Sequence, residues 1–122
     1  MVLVIDDYPP MGHVLKKLLA TYGIPVQCVY SAAEAWEVLR GIPPDVILLD
    51  DAMPGKNGLQ MLDEIKSTPT LAHIPVVMYS AGDDPVRIAQ AIEHGAVHWF
   101  VKATTPWDHL LGTLQELHAP PA

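Results

Sequence analysis

The sequence predicts a doubly wound α/β domain, a five-stranded parallel sheet covered by helices on both faces. Three observations carry this. Five short runs rich in β-branched residues alternate with five segments of helical periodicity. The run at 45–50 is apolar through its middle, as a strand covered on both faces is. Glycine, proline or a capping side chain marks the changes from one period to the other. Such alternation stacks three layers, with right-handed crossovers and ligands beyond the carboxyl ends of the strands.

Val2-Leu3-Val4-Ile5 reads as the first strand, stopped by Asp6-Asp7. Pro9-Pro10 fit a first helical turn, where a missing N–H costs nothing. Val14, Leu15, Leu18, Leu19 and Tyr22 recur at helical spacing, and Gly23 is the expected cap. Val26 to Tyr30 is the second strand. Ser31-x-x-Glu34 is a capping box for the helix of Ala32, Ala35, Trp36, Val38 and Leu39, which Gly41 and Pro43-Pro44 end. Asp45 to Asp50 is the third strand, and Met53 to Gly58 a loop with Asn57 as a suitable helix cap. Leu59 to Lys66 is helical, and Pro69 and Pro75 bracket a connector. Val76 to Tyr79 is the fourth strand, followed by an Asp84-Pro85 helix start that runs to Gly95. Val97 to Val101 is the fifth strand. Thr105-Pro106 repeats the cap-and-proline start before Leu110, Leu111, Leu114 and Leu117.

The chain of 122 residues is 50% hydrophobic and 17% charged, which fits one globular domain with a core of its own. That domain is expected over residues 1–118, with 119–122 as a tail or the start of a linker. Its one cysteine, Cys28, excludes an intramolecular disulfide framework and a multi-cysteine zinc site. No run approaches the ~18 apolar residues of a membrane span, and no signal peptide opens the chain. A cytoplasmic location without membrane contact is expected. The net charge of −7 argues against direct nucleic-acid binding, because phosphate contacts need clustered cations. The six histidines follow no metal-binding spacing.

The strand ends are the informative places. Strand one ends in Asp6-Asp7, strand three in Asp50 with Asp51 next, strand four in Ser80 and strand five in Lys102. Singly, each has a common structural use as a turn, a cap or a solvated charge. Together they put at least three carboxylates, a hydroxyl and an ammonium on one sheet edge. Crowded carboxylates repel unless a cation joins them. Oxygen ligands with room for water suit Mg²⁺. An aspartate is a competent nucleophile toward phosphorus, with lysine and serine neutralising and orienting phosphoryl oxygens. Asp51 is expected to be an exposed loop carboxylate.

This ordered set resembles the receiver domain of two-component response regulators, the chemotaxis-regulator type. The resemblance runs from Val2 to about His118. It rests on Val4-Ile5-Asp6-Asp7, on Ile47-Leu48-Leu49-Asp50-x-x-Met53-Pro54-x-x-x-Gly58, on Ser80-Ala81, on Gly95-Ala96 and on Val101-Lys102. It implies a flavodoxin-like (βα)5 fold with strand order 2-1-3-4-5. It implies that Asp50 accepts a phosphoryl group from a sensor histidine kinase or a phosphotransfer protein. Asp7, Asp50 and the backbone carbonyl of Ala52 would bind Mg²⁺, with Asp6 holding it mainly through water. Ser80 would bond a phosphoryl oxygen, Lys102 would pair with the acidic cluster and then the phosphate, and Trp99 would be the aromatic switch. The switched surface would be helix four, strand five and helix five, with Ala91, His94, His98, Phe100, Trp107 and Leu111 as its contact residues. An output domain or target outside this chain, or a homodimer, would use it.

One departure bears on the site. Ala103 follows Lys102 where the family usually has proline, often after a cis peptide. A cis bond here would cost about 2.5–4 kcal/mol, so a trans bond in a displaced loop is expected. Two other functions share the ingredients. An aspartate-based phosphohydrolase would need Asp-x-Asp after the first strand and a cap domain, and the adjacent Asp6-Asp7 disfavour it. A phosphorylation-independent pseudo-receiver would not need all of Asp6, Asp7, Asp50, Ser80 and Lys102.

Overall fold

The computed structural model describes residues 1–118; the expected tail or linker at 119–122 lies outside them. Strand β1 (Val2–Ile5) leads to helix α1 (Pro9–Ala20), β2 (Val26–Val29) to α2 (Ala32–Arg40) and β3 (Val46–Leu49) to α3 (Gly58–Ser67). Strand β4 (Val76–Ser80) leads to α4 (Pro85–Glu93), and β5 (His98–Val101) to α5 (Trp107–His118). All strand pairs are parallel, in the order β2-β1-β3-β4-β5. This is the flavodoxin-like topology expected from the sequence. The chain reverses its direction of winding between β1 and β3, which opens a crevice at their carboxyl ends.

The period of two along each strand divides the core. Leu3, Ile5, Ile47 and Leu49 face α2, α3 and α4, where they meet Ala35, Leu39, Met61, Leu62, Ile65 and Ala91. Val2, Val4, Val46 and Leu48 face α1 and α5, meeting Leu15, Leu19, Leu110 and Leu114. Every residue of β1 and β3 is buried, which is why their runs carry no polar alternation.

The helix ends mostly follow the sequence signals. Gly23 (φ +72°) and Gly95 (φ +110°) occupy the left-handed region after α1 and α4. Each sits in a Schellman closure, with Ile24 N–H donating to Leu19 (3.1 Å) and Ala96 N–H to Ala91 (3.0 Å). Asn57 and Gln60 form a full capping box on α3, and Asp84 caps α4 through Val86 N–H at 3.0 Å. Two ends differ from expectation. Ser31 accepts from Glu34 N–H, but the Glu34 carboxylate reaches one residue further back, to Tyr30 N–H at 2.8 Å. Helix α5 begins at Trp107, with Leu110 N–H bonded to the Pro106 carbonyl, so Pro106 rather than Thr105 stands at the cap.

Strand β5 lies at the sheet edge. Of the six residues expected on the surface there, His94, His98 and Trp107 are exposed. Ala91, Phe100 and Leu111 are buried and belong to the core. The Phe100 ring stacks on that of His98, 5.3 Å away, and meets that of His109 at a tilt, 5.0 Å away.

Candidate functional site

The site is built by the ladder running one residue past each strand. Asp6 N–H donates to Val29 (3.1 Å), Asp50 N–H to Ile5 (2.9 Å) and Lys102 N–H to Ser80 (2.8 Å). The backbone therefore fixes the origins of Asp6, Asp50 and Lys102 before their side chains make any contact. One oxygen from each of Asp6, Asp7 and Asp50 lies within 4.8 Å of the others. Asp6 and Asp50 are buried and Asp7 is exposed, so the cluster opens to solvent on the Asp7 side.

Lys102 reaches into this cluster. Its Nζ donates to Asp6 Oδ2 at 2.6 Å and lies 3.8 Å from Asp50 Oδ1. It also sits 5.8 Å from the centre of the Tyr79 ring. The described residues contain no cis peptide, so the Lys102–Ala103 bond is trans. The lysine meets its carboxylates all the same, and the displacement expected of this loop does not remove it. Asp6 Oδ1 accepts from Tyr8 N–H at 2.9 Å. Ala52 N–H, at 3.4 Å, is a long contact to Asp50 Oδ1.

Three carboxylates face one ammonium, and the imbalance falls on Asp50. Its carboxyl rises from 3.8 to about 6 as the net result, with burial the largest cause. Within that net rise the charges of Asp6 and Asp7 also push upward, while Lys102 and the Ala52 N–H pull the other way. Such a pocket, with oxygen donors in excess of the positive charge and one open side, suits a hard divalent cation.

Ser80 ends β4 and is buried, its hydroxyl accepting from Gly82 N–H at 3.4 Å. Trp99, on β5, is half-buried, and its indole N–H donates to the Gly82 carbonyl at 3.1 Å. Gly82 thus links the serine to the tryptophan. Ala52 stands next in line after Asp50 and Asp51 at the mouth of the pocket.

Asp51 contradicts expectation. It is not an exposed loop carboxylate but a buried one, 9% exposed. Arg87 of α4 grips it with two bonds, Nε to Oδ2 at 2.7 Å and Nη2 to Oδ1 at 2.6 Å. The Asp51 carbonyl accepts from Gly58 N–H at 2.9 Å. A Cβ on Gly58 would meet the Asp50 carbonyl oxygen at 2.6 Å and Asp51 Cα at 2.7 Å. Glycine is required here because α3 starts against the backbone of the acidic segment. Arg87 escaped sequence reasoning because it lies 36 residues from its partner, and no local pattern joins them.

The fold is shared with solved receiver domains. The beryllofluoride-activated receiver domain of RstA from Klebsiella pneumoniae superposes with a TM-score of 0.85 at 27% identity, over 96% of each chain. Chemotaxis protein CheY4 of Vibrio cholerae gives a TM-score of 0.85 at 25% identity, over 95% of this chain and 96% of its own. Residues 2–113 match the response regulator receiver domain family, and the chain belongs to it. Two-component response regulator ORR6 of Oryza sativa subsp. japonica is 36% identical over 110 residues, 88% of this chain and 65% of that protein. ORR8 of Oryza sativa subsp. indica is 35% identical over 102 residues, 83% of this chain and 84% of its own length. The chain is a receiver domain of a response regulator, a signalling domain. Among the described residues no helix is long and apolar enough to cross a membrane.

Proposed function

We propose that Asp50 is the phosphoacceptor of this domain. The observation that carries the reading is the buried Asp50 carboxyl, with Asp6 and Asp7 within 4.8 Å and the Lys102 ammonium at 3.8 Å. An Asp50 oxygen attacks the phosphorus of a phosphohistidine or a small acyl phosphate. The bond from phosphorus to the donor's nitrogen or oxygen breaks, and the donor leaves with that electron pair. The donor is a sensor histidine kinase or a phosphotransfer protein.

Asp7, Asp50 and the backbone carbonyl of Ala52 would hold Mg²⁺, with Asp6 acting through water. The ion, when bound, offsets the excess carboxylate charge and neutralises phosphoryl oxygens. Asp50 must be ionised to attack, and Lys102 already favours that form. Lys102 then shares its charge between Asp6 and the new phosphoryl oxygens, while the Ser80 hydroxyl donates to another. Movement of Ser80 pulls on Gly82, and the Trp99–Gly82 bond carries the shift to β5. The responding surface is α4, β5 and α5, where His94, His98 and Trp107 stand exposed for an output domain, a target protein or a second copy. The receiver spans residues 1–118, acts in the cytoplasm and makes no direct contact with nucleic acid or membrane.

The test is intact mass after incubation with Mg²⁺ and acetyl phosphate. A gain of about 80 Da, one phosphoryl group, is expected for the wild type and not for Asp50→Asn. A wild type that gains nothing, or an Asp50→Asn variant that gains the same mass, refutes the assignment.

A further inference from the structure

Helix α4 is thinly held. Ala91 is its one fully buried residue, while Val86 is 64% exposed and Ile92 47%. At its carboxyl end the following His94 pairs with Asp63 of α3, and the Lys66 stem packs against Gly95. At its amino end, Asp84 and Pro85 only close the helix on itself. From the first turn itself the side-chain tie to the rest of the molecule is the two-bonded grip of Arg87 on Asp51, beside the Trp99 bond to Gly82 in the preceding loop. Segments with few buried apolar contacts open most readily, so this grip bears directly on where the first turn of α4 lies.

The other end of the grip lies inside the acidic segment. Asp51 separates Asp50 from Ala52. Its side chain is fixed by Arg87 and its carbonyl by Gly58 N–H. Gly58 in turn abuts the Asp50 carbonyl, so the peptide on the Asp50 side cannot turn freely. A planar guanidinium bonded in parallel to a carboxylate fixes direction as well as distance.

We propose that Arg87 is a positioning residue for phosphoryl acceptance, acting through Asp51 to orient the 50–52 segment and thereby coupling that segment to α4. This rests on the assignment of Asp50 as phosphoacceptor. The coupling works both ways, because any change at Asp50 that favours one placement of α4 is itself favoured by that placement.

The experiment compares the wild type with Arg87→Lys, Arg87→Met, Asp51→Asn and the Asp51→Asn/Arg87→Met pair. Thermal stability, the rate of mass gain with acetyl phosphate and Mg²⁺, and hydrogen exchange of residues 85–93 are measured. Arg87→Met leaves a buried carboxylate alone and is destabilised. The double variant removes both charges and regains stability, but its mass gain stays about fivefold or more below wild type. Arg87→Lys, which keeps the charge and loses the fork, falls between. Phosphorylation alters exchange across 85–93 in the wild type and not in the double variant. A double variant that recovers stability and rate together shows a structural tie only and overturns the proposal. So does wild-type exchange that ignores phosphorylation. A wild type that accepts no phosphoryl group fails differently, taking the Asp50 assignment down first and this coupling with it.

Discussion

Removing the Asp50 charge should stabilise the metal-free domain. Folding lifts the Asp50 carboxyl from 3.8 to about 6. Its folded form therefore holds a proton more tightly than its unfolded form, and ionised Asp50 weakens the fold. The penalty is absent below about pH 4, grows as pH rises, and is complete above about pH 6. At about 1.4 kcal/mol for each tenfold change in proton affinity, the rise corresponds to about 3 kcal/mol at most. Asp50 is only 5% exposed, so solvent screens little of it. Asp50→Asn gives some of this back, since the Lys102 contact at 3.8 Å and the long Ala52 bond at 3.4 Å both weaken. A net gain of about 1–3 kcal/mol at about pH 7.5 in chelator is expected from urea unfolding of the two forms. The difference should shrink to a small fraction near pH 4 and vanish toward about pH 3, where the carboxyl is protonated in the folded and unfolded wild type alike. It should also shrink with added Mg²⁺, which binds the folded wild type and stabilises it by mass action. An asparagine form no more stable than wild type at pH 7.5, or a gain undiminished at pH 4, would refute the charge-crowding account.

Three further outcomes are expected. Asp7→Ala should abolish Mg²⁺ binding and phosphorylation, read by calorimetry and intact mass, with an unchanged melting curve because Asp7 is exposed; normal phosphorylation would show the metal ligands are misassigned. Ala52→Asn with Gly82→Glu should speed loss of the Asp50 phosphate roughly tenfold at one fixed Mg²⁺ concentration, by adding groups that can orient water. An equal or slower decay counts against that account. Gly58→Ala should lose about 2–3 kcal/mol in urea unfolding, because the added methyl meets backbone that cannot yield, at 2.6 Å and 2.7 Å; wild-type stability would mean α3 can shift at no cost.

What was legible in the sequence was whatever local chemistry or strand endings encode. Asn57, Asp84, Gly23 and Gly95 punctuate helices as their types demand. Asp6, Asp7, Asp50, Ser80 and Lys102 could be placed on one edge because parallel strands all end on the same side. The misses are long-range. Asp51 was assigned to solvent because its neighbours are loop residues, whereas its burial depends on Arg87 arriving from α4. Ala91, Phe100 and Leu111 were assigned to the surface from their elements alone. The rotation of α4 and α5 about their axes turns Ala91 and Leu111 inward, and Phe100 points from β5 into the cluster of Leu110, Leu111 and Leu114; only packing fixes these directions. Helix α5 starts one residue late for a similar reason: Pro106 can stand at the cap position, and the sequence pattern allows either start.

The place of β5, last in the chain and outermost in the sheet, governs when during synthesis the site comes into being. Lys102 joins Asp6 across 96 residues, and it follows the fifth strand. A nascent chain that has paired β2, β1, β3 and β4 holds its three carboxylates with no ammonium between them. Parallel pairing over such separations is slow to form, because loop closure precedes any contact it rewards. The acidic pocket is thus a frustrated hole in the growing sheet until the closing strand docks. Chains cut short before that strand end with their carboxylates uncompensated, and the charge balance of this edge becomes a property of the finished molecule alone.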